Sequence, residues 1–600
     1  MENDASSSPT RGFDFWMVYV SNLVIDMLSV LDLMAVSTAL PTIVSHLNGT
    51  DFIWAGSAYT IASTAIVPLV GDLVSGFGRK PVLLAFVFIF ALGSAISGAA
   101  QNMNMLIAGR GTPASLHAAS GWIYQSRRIA RSTRQRYPLL GTAFLHDCAF
   151  SIMSHVTHRS LAIQGFGGGG CLAVTEIVYA DLVPLPERGK FQGIVVSVWA
   201  IGCAIGPPIG GAIANSGAWR WLFFLNLPLC GIAMVLTSVF LKVRAPKTSL
   251  KEKLRQMDWI GITIIVGSTV SLALAFTWGG LRFPWDSANV LAPMIIGAVG
   301  IGFFLVAERY WIKGATVPSH FFSSPTTLSG YMGTFFHGII SLAAIYYMPV
   351  YFQAVQNASA IGSGVDIFPI TFTIPFSALA TGISVKALKK YRPQNYIGWA
   401  ITLIGFGAIT RLDADSTRAQ YICSQIPLGI GLGIVWVGTQ FPILAPLPVS
   451  NNAHALAFFT FTRRFAQSWG IIIGGTILQN ILLKDLPPSY VATLPQGVQL
   501  AYAIIPDIRG LDPELRREVQ VAFANATQVI WKTMLGIAGV GILTCLPMRE
   551  ETLRESLDEQ WGLKDKEAKG LESDSEKGLG SQDKIAEGGS TELKGAVAES

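Results

Sequence analysis

Charged residues are scarce in this sequence, since Asp, Glu, Lys and Arg make up 13% of its 600 residues. A soluble protein of this length would carry about 25%. Hydrophobic residues make up 51%, and the mean hydropathy is +0.47. This composition excludes an ordinary soluble protein and indicates a chain whose main solvent is the lipid bilayer. The net charge of +6 is modest, and basic residues in the loops on one side of the membrane explain it better than nucleic-acid binding does.

Several signatures of catalysis and cofactor binding are also missing from the sequence. The six cysteines are scattered, mostly within apolar segments, and show neither a disulfide framework nor metal-ligand spacing. The sequence contains no G-x-x-x-x-G-K-[ST] phosphate loop, so nothing indicates that ATP drives the protein directly. No catalytic triad or metal cluster stands out. We therefore expect no enzyme activity, no cofactor and no metal.

Long apolar segments separated by short polar breaks dominate the chain, as membrane-spanning helices require. The sequence predicts an all-α polytopic membrane protein with fourteen transmembrane helices. We expect these helices near 15–43, 53–73, 81–101, 103–110 joined to 162–180, 192–214, 221–241, 259–279, 289–308, 328–352, 364–385, 395–411, 421–445, 455–480 and 528–548.

The spans divide the chain into two halves of six helices each, with two extra helices between them. The tail after residue 548 is charged, poor in apolar residues and predicted to be disordered. The predicted segments are an N-terminal cytoplasmic tail at 1–14, an N-terminal half at 15–241, a basic cytoplasmic linker at 242–258, the extra helices at 259–308, a C-terminal half at 309–548 and a cytoplasmic tail at 549–600.

The distribution of basic residues predicts a cytoplasmic N-terminus. With that orientation, sixteen Lys and Arg residues fall in inner loops and four in short outer loops. Three N-glycosylation sequons, at Asn48, Asn357 and Asn525, all fall in predicted outer loops, which agrees with this orientation.

Residues 111–161 interrupt the fourth predicted helix and differ from their surroundings. They contain six Arg, no Lys and four of the eight His residues. Deleting them joins Met103–Arg110 to Ala162–Ala180 as one apolar helix of 27 residues. We interpret the segment as a translated, unspliced intron; the alternative is a genuine extra outer loop.

Four stretches carry specific patterns. They are Gly71–Lys80 with the sequence GDLVSGFGRK, Asp32 followed by Ala39–Ile43, Arg110 followed across the insert by Ala162–Gly165, and Gly202–Gly211 with the sequence GCAIGPPIGG. These stretches resemble motifs of the major facilitator superfamily, in particular its fungal fourteen-span drug:proton antiporters. The resemblance covers nearly all of 14–550 outside the insert. It implies two six-helix halves that alternate access to a central cavity.

The first pattern resembles the superfamily's loop between the second and third helices. Its glycines permit a tight turn, and its basic pair holds the loop at the cytoplasmic face. The matching residues are Gly71, Gly78, Arg79 and Lys80. The resemblance implies that this loop braces the two halves against each other. Ser75 occupies the family's acidic position, and Asp72 is a candidate substitute.

The glycine-rich pattern in the fifth predicted helix resembles the antiporter motif G-x-x-x-G-P-x-x-G-G. Its matching residues are Gly202, Gly206, Pro207, Gly210 and Gly211. Within the superfamily this motif marks exporters more than importers. The alternative is ordinary close packing of small residues between membrane helices.

Two charged residues inside predicted helices are candidates for proton coupling, because ionisable groups in a membrane are costly unless functional. The resemblance assigns this role to Asp32 and, on the repaired fourth helix, to Arg110. Asp26 is a second helix-one carboxylate outside the matched pattern, and a structural hydrogen bond between helices is the alternative for both. Glu176 and Asp181 are expected to serve as caps or topology signals. Arg463 and Arg464 are expected to be topological anchors.

The resulting functional prediction is proton-coupled export of a drug, toxin or secondary metabolite across the plasma membrane. The implied partners are a small-molecule substrate, protons and the lipid bilayer, with no nucleic acid, and the protein is expected to be a monomer. Two alternatives stay open: proton-coupled uptake or vacuolar transport of a nutrient, metal chelate or amino acid, and a non-transporting membrane sensor. Short loops and the lack of a folded signalling domain argue against the sensor.

The intron interpretation predicts that mature transcripts lack the codons for 111–161. Removing these 51 residues from 600 leaves a protein of 549 residues. Sequencing cDNA across the region tests this directly. An active protein made from a transcript that retains the segment would contradict the interpretation.

Overall fold

A computed structural model describes residues 12–47, 52–101, 105–106, 163–242, 257–279, 283–311, 324–448, 451–491, 504–505 and 507–554. The predicted insert, Arg110 and Asn48 lie outside these residues. Within the described ranges the regular structure is helical, apart from one isolated β-bridge between Gly279 and Phe283. The all-α prediction is confirmed.

The long helices follow the predicted order, and we number them along the chain. They are α1 Phe13–Leu47, α2 Phe52–Phe77, α3 Arg79–Gly98, α4 Ile163–Leu182, α5 Leu185–Asn215, α6 in two pieces Trp221–Phe224 and Asn226–Phe240, α7 Trp259–Trp278, α8 Ala288–Tyr310, α9 Pro325–Ala354, α10 Phe368–Leu388, α11 Arg392–Ile409, α12 Arg418–Gly438, α13 Asn452–Asp485 and α14 Pro513–Leu543. Short helices Ala360–Asp366, Gln440–Leu444 and Pro488–Val491 and the 3-10 turn Ile508–Gly510 lie between them.

Twelve membrane spans are long and apolar enough to cross a bilayer within the described part of the chain. The other two numbered helices, α4 with 20 residues and α11 with 18, lie at predicted span positions but are not among the twelve. The count of fourteen spans therefore stays a prediction.

The start of the last helix differs from the prediction. It was expected at residue 528, but α14 begins at Pro513. Proline at the first helical position and Glu514 in the first turn both favour a helix start there, although the segment is too polar to read as a span. Asn525 therefore lies within a helix, where its side chain donates to Asp485 Oδ2 at 3.1 Å. Its location on the outer side of the membrane stays a prediction.

Each half of the molecule packs mainly against itself. In the N-terminal half α1 lies against α5 and α6, and α4 lies against α2 and α3. The glycine run in α4 permits this close approach, because a Cβ on Gly167 would lie 2.7 Å from Phe90 Cα and one on Gly169 would lie 2.6 Å from Ser63 Cα. In the C-terminal half α12 packs on α10 and α11, and α9 packs on α13 and α14.

Two seams join the halves. At the first seam α5 meets α10, and a Cβ on Gly189 would lie 2.5 Å from Gly382 Cα. Lys386 Nζ donates to Glu187 Oε1 at 2.9 Å beside this contact. At the second seam α2 meets α13, and α7 of the extra pair packs along α2. The first seam is therefore in backbone contact at its predicted cytoplasmic end.

Enlarging Gly382 should block closure of the first seam. We expect Gly382→Val to reduce transport about tenfold or more at normal surface level, because overpacking a close contact costs about 1–3 kcal/mol. Gly407→Val is the matched control, since a Cβ there meets nothing within 4 Å. Dye efflux from cells expressing each variant measures the effect, and equal efflux from both variants would contradict the seam's role.

Candidate functional site

Two carboxylates in the middle of α1 are buried within the helical bundle. Asp26 is 3% exposed and Asp32 is 2% exposed. A carboxylate buried at membrane depth requires hydrogen-bond donors or a charge partner. The two residues meet this requirement in different ways, and the difference separates their possible roles.

Asp32 lies in a hydrogen-bonded network inside the N-terminal half. Its Oδ1 accepts from Gln164 Nε2 at 2.8 Å and from Asn226 Nδ2 at 2.9 Å. The same two amides donate to Ser94 Oγ, at 2.9 Å and 3.3 Å. The network therefore ties α1 to α3, α4 and α6.

Asp26 belongs to α1, and its carboxylate lies against α4 and interacts with the opposite half. Its two oxygens accept from Thr175 Oγ1 and Tyr179 Oη, each at 3.1 Å. Its carboxylate also interacts electrostatically with Glu176 on α4 and with Arg464 on α13. Asp26 is therefore one member of a charged group that crosses from one half to the other.

Glu176 is the second carboxylate of this group. Its Oε1 accepts from Gln192 Nε2 at 2.7 Å, and it interacts electrostatically with Arg463, Arg464 and Arg188. Its Oε2 is buried and has no hydrogen-bond partner among the described residues. The expectation that Glu176 is only a cap or topology signal does not account for its hydrogen bond to Gln192 or its electrostatic interaction with α13.

Arg463 is buried at 7% exposure, although it was expected to anchor the helix at the membrane surface. Its Nη2 donates to Trp436 O at 2.9 Å, and its guanidinium lies 4.6 Å from the Trp436 ring centre and 4.3 Å from that of Phe459. Its Nε has no acceptor within the described part of the chain. The anchor interpretation is wrong for Arg463 because α13 turns this face toward α12 and α4.

We call Asp26, Glu176, Arg463 and Arg464 the central charge cluster. Aromatic side chains border it on the C-terminal side. Trp436 packs against Trp199 of the other half, with ring centres 5.4 Å apart, and against His337 at 5.6 Å. The cluster therefore has a charged face and an aromatic face, both formed where the halves meet.

A small pocket with room for about one water molecule opens beside Glu176. It lies toward the predicted cytoplasmic end of α4. Its lining consists of Glu176, Tyr179, Ala180, Val183, Arg188, Phe191, Gln192 and Gln440. Glu176 thus belongs both to the cluster and to the wall of an open space.

Comparison with known proteins decides the family. A family model described as the Major Facilitator Superfamily matches residues 159–471. Efflux pump FUS6 of Gibberella fujikuroi is 32% identical over 589 residues, which cover 96% of this chain and 97% of that protein. The acurin A biosynthesis cluster MFS-type transporter of Aspergillus aculeatus is 30% identical over 569 residues and covers 93% of each chain. The protein belongs to the major facilitator superfamily.

The fold agrees with this assignment. The human organic anion transporter MFSD10 (TETRAN) matches with a TM-score of 0.51 at 12% identity, over 89% of this chain and 100% of that chain. At that identity the likeness shows the fold alone. As a major facilitator superfamily member, the chain is an integral membrane transporter of small molecules and not an enzyme.

The superfamily's loop motif forms a compact ionic contact. Gly78 has φ 89°, which favours glycine, and it allows α3 to begin directly after α2. Arg79 Nε donates to Asp181 Oδ2 at 2.7 Å in a buried pair, and Lys80 Nζ donates to Ser238 O at 2.6 Å. Asp181 is therefore a partner of the loop motif.

Asp72 provides the motif's contact with the opposite half. Its Oδ1 lies 3.1 Å from His454 Nε2 at the start of α13. A Cβ on Gly71 would lie 3.4 Å from His454 Cα, so α2 and α13 touch at this point. The structure thus places the Asp72 side chain at the second seam, where it contacts the C-terminal half. The sequence made Asp72 only a candidate to replace the acidic residue that the family motif has at the position of Ser75.

The antiporter-like motif of α5 packs directly on α1. A Cβ on Gly202 would lie 2.7 Å from Val30 Cγ1, and one on Gly206 would lie 2.6 Å from Met34 Cβ. Gly210 approaches Ala35 equally closely, while the side chain of Pro207 lies outside the described residues. These contacts flank Asp32, so the motif fixes how far α1 can move relative to α5. Gly211 is half-buried one position further along.

Some predicted sites stay predictions. Arg110 and Asn48 lie outside the described residues, so no geometry connects Arg110 to Asp32. Asn357 lies just after α9 with φ 53°, and its Oδ1 accepts from Arg509 Nε at 3.3 Å. Its location fits the predicted outer loop, but glycosylation at any of the three sequons is untested.

Breaking the Arg79–Asp181 pair should destabilise the protein. We expect Arg79→Ala to cost about 3–5 kcal/mol, because it leaves a buried carboxylate without its guanidinium. Lys386→Ala is the control, since the Lys386–Glu187 pair is partly exposed and contributes at most about 1 kcal/mol. Thermal unfolding in detergent compares the two variants. Equal melting temperatures would contradict a structural role for the buried pair.

Proposed function

We propose that the protein exports a drug, toxin or secondary metabolite from the cell by proton-coupled alternating access. The name of the relative FUS6 describes an efflux pump, and the Aspergillus relative is named for a biosynthesis cluster. The glycine pattern in α5 adds the resemblance to exporters. Export to the outside implies residence in the plasma membrane, with the vacuolar membrane as the alternative.

The observation that carries the proposal is the central charge cluster. Asp26 and Glu176 come from the N-terminal half, while Arg463 and Arg464 come from the C-terminal half. Opposite charges in a low-dielectric environment attract, so the interactions of Asp26 and Glu176 with Arg464 favour the closed arrangement when both carboxylates are ionised. A proton on either carboxylate removes part of that attraction.

This arrangement supports a transport cycle. The described seams are closed at the predicted cytoplasmic end, where Glu187 meets Lys386 and Asp72 meets His454. Protonation from outside weakens the cluster and allows the halves to open toward the cytoplasm. Release of the proton inside restores the attraction between the halves. The cytoplasmic side then closes over the bound substrate, and the outer side opens.

The proton gradient supplies enough free energy for export without tight substrate binding. One charge crossing 100 mV releases about 2.3 kcal/mol, and one pH unit adds about 1.4 kcal/mol. One proton under both gradients therefore supports roughly a 500-fold substrate gradient.

Two assignments of the proton site compete. The resemblance favours Asp32 with Arg110. Geometry favours Asp26 with Glu176, because their charge partners lie on α13, whereas Gln164 and Asn226, which donate to Asp32, lie within the N-terminal half. We place the coupling proton on Asp26 or Glu176 first and keep Asp32 with Arg110 as the alternative.

Isosteric variants separate these assignments. We expect Asp26→Asn and Glu176→Gln to reduce uncoupler-sensitive dye export at least tenfold at normal surface level, because neither side chain can then change charge. Asp32→Asn should keep coupled export. The assay expresses the 549-residue form in a transporter-deficient host and follows a panel of fluorescent dyes that includes the uncharged Nile red.

The same assay tests the alternatives. Asp415→Asn is the control, since it removes a carboxylate from an exposed surface pair with Arg517. Loss of coupling in Asp32→Asn and Arg110→Ala, with Asp26→Asn active, would transfer the assignment to the sequence motif. Higher dye accumulation in expressing cells than in empty-vector cells would indicate uptake and overturn export.

A further inference from the structure

The chain that follows α14 lies against the start of α11, where residues 549–551 contact Tyr391. We call these three residues the C-terminal strap. We propose that the strap makes Tyr391 a positioning residue for transport, because Tyr391 supports Phe441 and Phe441 holds the first seam closed at Gly189. This inference rests on the proposed alternating access and adds a segment of the chain that controls closure on the predicted cytoplasmic side.

Hydrogen bonds in both directions join the strap to Tyr391. The Tyr391 hydroxyl donates to Arg549 O at 2.7 Å and accepts from Glu551 N at 3.0 Å. Tyr391 N in turn donates to Glu550 Oε1 at 2.7 Å. The strap lies outside any helix, so its backbone groups need partners of this kind. The bonds therefore fix the strap and the fully buried Tyr391 side chain relative to each other.

Other contacts attach the strap to the rest of the C-terminal half. Arg549 N donates to Thr326 Oγ1 at 3.1 Å, at the start of α9. Met548 and Leu553, on either side of the strap, are buried, and burial of apolar side chains favours the docked position. The strap therefore bridges the predicted cytoplasmic ends of α9 and α11.

The ring of Tyr391 stacks on Phe441 in the short helix Gln440–Leu444. The ring centres are 6.4 Å apart, and the ring planes differ by 12°. Asn395 joins the same two places, since its Nδ2 donates to Tyr391 O at 2.9 Å and to Gly438 O at 3.0 Å. The position of Phe441 therefore depends on the position of Tyr391.

Phe441 lies at the backbone contact of the first seam. Its side chain is 1% exposed. A Cβ on Gly189 would lie 3.0 Å from Phe441 Cζ and 2.5 Å from Gly382 Cα. Gly189 belongs to the N-terminal half, whereas Phe441 and Gly382 belong to the C-terminal half. The Phe441 ring therefore packs where α5 touches α10, and a shift of this ring changes the contact between the halves directly.

Loss of the strap should loosen this contact. Without the hydrogen bonds to the strap, Tyr391 can leave its stacked position, and Phe441 then loses the ring behind it. A seam held by fewer interactions opens more often, because local opening follows the free-energy difference between the closed and open forms. The strap thus favours the form of the transporter that is closed at the first seam.

Tyr391→Phe tests the strap, because it removes the hydroxyl and keeps a ring that can stack on Phe441. Amide hydrogen exchange of the purified full-length protein in detergent reports seam opening at residues 189–192 of α5. We expect Tyr391→Phe to speed exchange there about threefold or more, because two hydrogen bonds to the strap are lost. Faster exchange confined to the C-terminal half would indicate a merely local role and overturns the proposal.

Tyr396→Phe is the matched control. The Tyr396 hydroxyl donates to Cys545 O at 3.0 Å, so this variant also removes a hydroxyl that joins α11 to the chain beyond α14. The Tyr396 ring lies beside the Arg392 guanidinium, 5.6 Å from the ring centre, and not on Phe441. Exchange at 189–192 should therefore stay at the wild-type rate. Equal acceleration by Tyr396→Phe and Tyr391→Phe overturns the assignment to Tyr391.

Truncation provides a second test that leaves Tyr391 unchanged. A chain that ends at Met548 lacks the strap, whereas a chain that ends at Arg554 keeps it. We expect faster exchange at 189–192 only in the shorter chain. Equal exchange in the two chains contradicts a role for the strap.

Phe441→Leu tests the path from Tyr391 to the seam. Leucine has no ring to stack on Tyr391, so adding Tyr391→Phe to this variant should speed exchange at 189–192 no further. Additive effects of the two substitutions refute the path through Phe441. Seam exchange is measured without transport, so the two proposals fail separately. Uptake of dye by wild-type cells refutes only the proposed function, and unchanged seam exchange in Tyr391→Phe with intact export refutes only the strap.

Discussion

Attraction between carboxylates of one half and guanidiniums of the other is the constraint around which this transporter is arranged. Asp26 and Glu176 belong to α1 and α4, while Arg463 and Arg464 belong to α13, so their charges interact across the boundary between the halves. Leaving such groups unpaired in a membrane is costly, so electrostatic attraction as well as packing favours the closed arrangement of the halves. Under the proposed mechanism, proton binding to one of the carboxylates changes how strongly the halves attract.

Most of the fold could be predicted from hydropathy alone. Apolar length placed most helices within a few residues of their observed bounds, because the bilayer requires spans of a fixed length. The prediction failed at α14, where fifteen residues of polar helix precede the expected start at 528. Hydropathy does not detect a helix that continues beyond the apolar layer, whereas the Asp512–Pro513 start signal could have revealed it.

The candidate site was less accessible to sequence reasoning. Motif resemblance favours Asp32 over Asp26, and the position of Arg463 in the first third of its predicted span favours a topological anchor. Which side of a helix faces the partner half depends on packing between elements hundreds of residues apart, and no local pattern records it. The contact between Asp72 and His454 joins positions 382 apart, although the missing acid at Ser75 gave a hint.

The seam between α5 and α10 has a consequence for how such a protein diversifies. At Gly189 and Gly382 two backbones touch with no side chain between them, so neither position can vary without separating the helices. Substitution at either glycine is therefore a poor route to a changed substrate range. If the proposed alternating access is correct, changes in substrate range must therefore come from side chains that line the substrate cavity and not from this contact.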